Sequence, residues 1–507
     1  MRILIISFFN SWVTHFGTEL EIAQRHLDDG DEVTMLGCDG AITCCDANPL
    51  GVRKTCIDCI DNRYAGLELL SSNIKLYKLG DYLSQNDRKQ AERIAAEIDG
   101  PENARNLSFQ DTDLGWGALS STVSRFRDPD CKSNESLIQL RKFGVSALRS
   151  FLATTKFLDC QKKFDSVYIF NGRFASTRGA YRAAQHNGVP TIYLHERGSS
   201  VKKFQLYKND FPHSRTLLKQ EAEKLWNQEE LEAVKLSKAK EFYENRRFGK
   251  PTSWKPFTEL QQAGSLPESW NPEKKNIAIF NSSEDEFAAI GKEWLHLIYP
   301  KQSTGISRIV KDLCSSNPDV HIYLRIHPNL MKVKNSDLSF LLELKHPQLT
   351  TILPDSPVCS YALLDHSDTV LTFGSTMGAE ATFWRKPSVL ASHAFYQDFD
   401  VAYRPQSHQE VLDLLKSDLL PKPIVGAVKY GYYMNCFGME YKYWNAKTFL
   451  SGEFKNERIT PEFANPLLKM LLRATYGKPF SRKLVSMLGN RLRELKRILK
   501  SETSARS

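Results

Sequence analysis

The sequence predicts an α/β chain of two doubly wound halves that face each other across a cleft. Short apolar runs of strand length alternate with helix-length segments, and the alternation occurs twice. A proline-rich polar stretch at 251–275, with Pro251, Pro256, Pro267 and Pro272, divides the two rounds as a linker would. The chain has 507 residues, 41% hydrophobic and 25% charged, which excludes general disorder. At roughly 150 residues per domain it holds two or three domains.

MRILIIS at the start is continuously apolar, the pattern of a strand covered on both faces. A helix follows from Gly17 through Leu20, Ile22, Ala23 and Leu27 to Gly30, and DEVTML then reads as a second strand. After an irregular stretch and a helix over about 136–159, the alternation resumes with SVYIF (166–170), a helix around 178–187 and PTIYL (190–194). Glu/Lys-rich helical sequence fills 215–246. The second round begins with NIAIF (276–280) and continues with VHIYLRI (320–326), TTILP (350–354), DTVLTF (368–373) and PSVLA (387–391). The expected division is a Rossmann-like domain over 1–250, the linker, a second Rossmann-like domain over 276–425, a helical return segment over 426–480 and a basic tail over 481–507. Residues 60–160 carry no motif.

No stretch approaches the ~18–20 uncharged apolar residues of a spanning helix. Ile3 to Phe9 imitate a short signal peptide, but Asn10, Ser11 and His15 follow without a small-residue cleavage site, so a buried strand and a cytoplasmic protein are expected. Of the net charge of +9, +6 lies in 481–507, where eight Lys and Arg face two Glu. The nearly neutral body argues against a nucleic-acid partner. In the tail, Leu484, Leu488, Leu492, Leu495 and Leu499 form an apolar stripe with Arg493, Lys496, Arg497 and Lys500 on other faces. A basic amphipathic helix lying on an anionic membrane surface is one reading, and a solvated terminal helix packed on its own domain is the other.

In open α/β sheets ligands bind beyond the carboxyl ends of strands, and four such places are chemically loaded. RIHPN puts Arg325 and His327 at a strand end, a fixed charge and a directional donor suited to a phosphate. TFGSTMGAEATFWRKP (372–387) runs from a strand through Gly374, Ser375 and Thr376 into a helix bearing Glu380. Small residues and hydroxyls there suit an anion, and the acid could accept from ribose hydroxyls. YLHERGSS (193–200) delivers Glu196 into a loop ending at Gly198, where a carboxylate could act as general base. The fourth place pairs the loop after the first strand, with His15 as rival base and Gly17, and FNSSEDE (280–286), with Ser282 and Ser283.

Five of the ten cysteines, Cys38, Cys44, Cys45, Cys56 and Cys59, fall within 22 residues and include a CxxC. They could supply thiolates to a structural zinc, or be reduced thiols in a loop.

RIHP, the Ser-Thr-x-Gly-x-Glu-Ala segment ending in RKP, the HERG loop and NGR at 171–173 together resemble bacterial capsule-polysaccharide biosynthesis glycosyltransferases, the group that includes capsular Kdo transferases. The resemblance covers about 165–200 and 276–392. It implies the GT-B fold, with the acceptor on 1–250 and the nucleotide-sugar, CMP-linked by preference, on 276–425. Transfer would need no metal or other catalytic cofactor. Carried over by motif, Glu196 is the base and His327 the phosphate ligand. Arg325, Gly374, Ser375, Thr376, Glu380, Ser282 and Ser283 fall on the nucleotide side, and His15, Gly17, Asn171 and Arg173 on the acceptor side. Arg197 departs from the family's acidic loop. The expected acceptor is a lipid-linked or growing polysaccharide, met peripherally at the inner face of the membrane. A sugar-nucleotide epimerase of the same architecture and a non-catalytic export or assembly factor are the alternatives.

Overall fold

The structure, a computed structural model, describes residues 1–250, 257–295, 298–448 and 450–459. The first half contributes β1 (Arg2–Ser7), β2 (Glu32–Gly37), β3 (Lys75–Lys78), β4 (Ser166–Phe170), β5 (Thr191–Arg197) and β6 (Lys203–Lys208). The second contributes β7 (Lys275–Phe280), β8 (Val320–Arg325), β9 (Leu349–Ile352), β10 (Thr369–Thr372) and β11 (Ser388–Leu390). A return segment adds β12 (Met439–Glu440), β13 (Trp444–Thr448) and β14 (Ser451–Phe454).

The first sheet has the order β12-β6-β5-β4-β1-β2-β3 and the second β11-β10-β7-β8-β9, with β13 and β14 a separate hairpin. Neighbours from β3 across to β5, and all neighbours in the second sheet, run parallel; the β5–β6, β6–β12 and β13–β14 pairs are antiparallel. In each half the chain winds outward on one side of its first strand and then returns to the other side. The order therefore reverses between β1 and β4 and again between β7 and β10. Crevices open at such reversals, and the residues beyond them are Asn10 and Asn171–Arg173 in one half, Asn281–Ser283 and Gly374–Thr376 in the other.

The apolar runs form these central strands because both faces are covered: Ile3, Leu4, Ile5 and Ile6 in β1 and Ile277, Ala278 and Ile279 in β7 are buried. All nine strands expected from sequence are present. The stretch 60–160 proves helical around β3, with helices Arg53–Leu67, Gln85–Ala96, Leu114–Phe126 and Asn134–Asp159. The last is capped by Ser133, whose side chain accepts from the Ser136 N–H, and lays Leu140, Phe143, Ala147 and Phe151 into the core under β1 and β4.

Three expectations need correction. Among its described residues the return segment is helical over Val425–Cys436; β12 then adds to β6, and the β13–β14 hairpin packs on the helix Val13–Asp28. Buried Glu21 fixes it by accepting from the N–H groups of Lys442, Tyr443 and Trp444. The helices Arg215–Gln228 and Glu232–Arg247, grouped by sequence with the first half, pack against Val425–Cys436 beside the second sheet. Tyr243 stacks on Phe383 and donates to the Ala427 carbonyl, and Lys429 pairs with Glu223. The linker is also more than a spacer: Trp270 stacks on Tyr323 at 4.6 Å, and its nearer part reaches the pocket described next. The basic tail 481–507 lies outside the described residues. Among those described, no helix is long and apolar enough to cross a membrane.

Candidate functional site

A pocket sits at the carboxyl edge of the second sheet, where open α/β folds bind their ligands. Phe280 and Asn281 after β7, Arg325 and His327 after β8, and Ser375 and Thr376 after β10 line it from the sheet. Arg246, Lys250, Phe257, Thr258 and Gln261 close the other side. Three cations and no carboxylate line this pocket.

His327 is locked by its surroundings. Its backbone N–H donates to Asn281 Oδ1 at 2.8 Å, and its Nδ1 accepts from the Asn329 N–H at 3.1 Å. Burial, aided by the charges of Arg246, Arg325 and Arg127, lowers its pKa to about 4. The ring is therefore neutral at physiological pH, and with Nδ1 accepting, the proton resides on Nε2 as a donor. Arg325 is buried, and its guanidinium donates to the carbonyls of Leu353 and Ser356. It contributes fixed positive charge behind the pocket rather than a swinging grip.

Glu380 does not reach the pocket. It is fully buried beneath it, paired with Arg246 at 2.9 Å and hydrogen-bonded by Thr376 at 3.0 Å and by Tyr361. Burial opposes the charge of Arg246, but the Glu380 carboxylate outweighs it and holds the guanidinium pKa above its usual value. The expected ribose contact is thus replaced by a positioning role: Glu380 fixes Arg246, which also donates to Thr376 Oγ1 at 2.6 Å. Gly374 has φ +90°, a conformation a side chain resists, and lets the backbone pass close to the His393 carbonyl.

Ser282 and Ser283 point elsewhere. Ser282 Oγ donates to the Phe373 carbonyl at 2.6 Å, tying the ends of β7 and β10 together. Ser283 joins Asp285 and the Asn329 carbonyl in receiving Arg127 from the first half, so it belongs to an interdomain contact.

In the first half, β5 runs on through Arg197, so His195 and Glu196 are strand residues rather than loop residues. Glu196 accepts from the Asn171 amide and from the Arg197 N–H at 3.0 Å. Burial opposes its charge, but His15, Arg197 and Asn171 more than offset this and bring its pKa down to about 2. His15 is itself lowered to about 4, chiefly by burial. With His15 neutral, the ionisation of Glu196 rests on Arg197 and Asn171. His15 lies on Phe170 with ring centroids 4.0 Å apart. Asn171 and Gly172 both have positive φ, +55° and +79°, forming an elbow after β4 that aims Asn171 at Glu196 and sets Arg173 at the junction of the halves. Gly17 is not a binding residue: a Cβ there would meet the Trp444 ring at 2.4 Å, so it serves the docking of the return hairpin.

The cysteine expectation is met only in part. Cys38, Cys44, Cys45, Cys56 and Cys59 line one small apolar pocket, but among the described residues no three of their sulfurs lie within 4.8 Å of one another. Burial raises the thiols, Cys38 to about 12 and Cys44 to about 11. Among the described residues these sulfurs do not converge as the ligands of a tetrahedral zinc-thiolate centre do.

Sequence reading missed Arg246, Lys250, Phe257, Thr258 and Gln261, because helix end and linker carry no strand-end signal. The architecture, two doubly wound halves with an anion-suited pocket at the second crossover, is GT-B-like. Residues 294–412 match the family model described as capsule polysaccharide biosynthesis protein, which bears out the resemblance read from the sequence. The chain is similar to the solved structure of Thermosulfurimonas dismutans KpsC, beta Kdo 2,4 transferase, with 13% identity over 53% of this chain and 79% of that one and a TM-score of 0.34. For the KpsC beta Kdo 2,7 transferase of that organism the values are 15%, 55%, 79% and 0.33. For the S. aureus MnaA-UDP co-structure they are 13%, 86%, 94% and 0.28. At these scores the architecture rests on the strand orders above. No curated protein matches.

Proposed function

We propose that the chain is a glycosyltransferase of capsule or surface polysaccharide synthesis, taking a sugar from a nucleotide donor, CMP-linked by preference. The observation that carries the reading is the pocket at the β7/β10 crossover, with three cations, no carboxylate and a neutral His327 whose Nε2–H is a donor. The donor phosphate lies against His327 and Ser375, with Lys250 and Arg246 supplying charge, and the leaving oxyanion is stabilised without a metal.

The acceptor hydroxyl gives its proton to the pair His15 and Glu196. Both Glu196 oxygens already accept hydrogen bonds, and a carboxylate with a pKa near 2 is a weak base, so His15 takes the proton while Glu196 steadies the resulting imidazolium. Glu196 is thus reassigned from base to partner. The acceptor is a lipid-linked or growing glycan, reached from the cytoplasmic side with 481–507 on anionic lipid. Deleting 481–507 should release the chain from anionic vesicles in a salt-sensitive way; unchanged binding refutes that placement.

Thermal stabilisation screened over CMP, CDP, UDP and GDP tests the donor. CMP at a hundredfold excess over its Kd should contribute about 2.7 kcal/mol of apparent stability. No shift with any nucleotide overturns the transferase reading. Conversion of a nucleotide-sugar with no acceptor present would favour an epimerase.

A further inference from the structure

Three buried polar atoms without hydrogen-bond partners gather where the first half meets the second: Asp46 Oδ2, Arg173 Nε and His213 Nδ1. They come from three separate segments, the loop after β2, the elbow after β4 and the stretch after β6. Arg173 Nη1 makes only long contacts, 3.5 Å to His213 Nε2 and 3.5 Å to the Glu286 carbonyl of the second half. The Phe174 ring lies 4.9 Å from its guanidinium. The paired positive φ values of Asn171 and Gly172 show that this presentation is built by the fold. Trp294 Nε1 anchors the third segment by donating to the His213 carbonyl at 3.1 Å.

Buried donors and acceptors are normally paired, so three orphans around the Arg173 guanidinium call for a further partner. The surrounding charges narrow its chemistry. Arg173 feels the acidic groups of Glu196, Asp46, Glu286 and Asp285, which makes the spot poor for a second anion. A guanidinium donor, a carboxyl and an imidazole nitrogen together offer both the donors and the acceptors that sugar hydroxyls require, since each hydroxyl donates once and also accepts. Burial lifts Asp46 to about 7, so near neutrality its carboxyl can both donate and accept.

We infer that Asp46, Arg173 and His213 form a subsite for a neutral, hydroxyl-bearing sugar ring of the acceptor. The subsite lies beside the Glu196 and His15 pair: Glu196 acts electrostatically on both Arg173 and His213. A ring held there presents a hydroxyl toward that pair. The inference rests on the transferase reading.

The test is saturation-transfer NMR on the full chain with CMP present, using methyl glycosides of glucose, galactose, mannose and their N-acetylamino counterparts as probes. At least one glycoside should give signals in the wild type that fall about tenfold or more in Asp46→Ala and in Arg173→Gln, with partial recovery in Arg173→Lys. Thermal stabilisation by CMP, retained in each variant, shows that fold and donor pocket are intact; if Asp46→Ala fails this check, Asp46→Leu, apolar and of similar size, replaces it. Absence of signal from every glycoside in the wild type overturns the inference, as do equal signals in wild type and variants, which would leave the orphaned groups to ordered water. Either failure with CMP binding retained leaves the transferase reading standing, whereas loss of nucleotide binding in the wild type removes both.

Discussion

The two halves share a topology but use their crossovers differently. At β7/β10 the polar side chains are satisfied and rigid: His327 is fixed by Asn281 and Asn329, Arg325 by carbonyls, Arg246 by Glu380. At β1/β4 Asn171 is held at positive φ, and Asp46, Arg173 and His213 keep buried atoms without hydrogen-bond partners. A pocket for a constant group such as a phosphate can be completed within one half. A site for a variable partner is finished only when that partner and the facing half arrive. Under the proposed function, the second half would hold the donor and the first the acceptor.

The comparison can be broken most forcefully at Glu380. Glu380→Gln leaves the half-buried Arg246 without its counter-charge and should cost about 1–3 kcal/mol of stability, read by denaturant unfolding, together with loss of nucleotide binding. A loss below ~1 kcal/mol would mean that the pair does not organise the pocket. On the other side, His15→Ala should lower turnover about a hundredfold while nucleotide affinity stays as in wild type. The pH profile sharpens this. Because burial lowers His15 to about 4, its neutral form is available above that pH, and kcat/KM of the wild type should fall as pH drops through about 4. A profile whose acid limb near pH 4 is unchanged in His15→Ala overturns the base role of His15. The smallest effect is expected at the hairpin seam: Gly17→Ala puts a Cβ into the Trp444 ring and should cost about 1–3 kcal/mol without altering nucleotide affinity.

Strand positions were legible because continuous apolar runs such as MRILIIS and NIAIF have one stable use, a strand covered on both faces. The motifs placed just beyond them, RIHPN and the Gly374–Thr376 turn, consequently fell at the crevice. What the sequence hid depends on partners distant in the chain. Glu380 reads as a ribose ligand until Arg246, 134 residues away, is seen to hold it. Gly17 reads as a loop glycine until Trp444 packs on it. Asp46 and His213 carry no motif, and only the fold sets them beside Arg173. The cysteine cluster shows the converse, since proximity in sequence brought the thiols to one pocket but not to one point.

Calorimetric titration of CMP into wild type, His327→Ala and Glu196→Gln tests the division between the halves most directly. The account predicts binding in wild type, a loss of at least tenfold in His327→Ala and unchanged affinity in Glu196→Gln. Affinity lost in Glu196→Gln and kept in His327→Ala would contradict it.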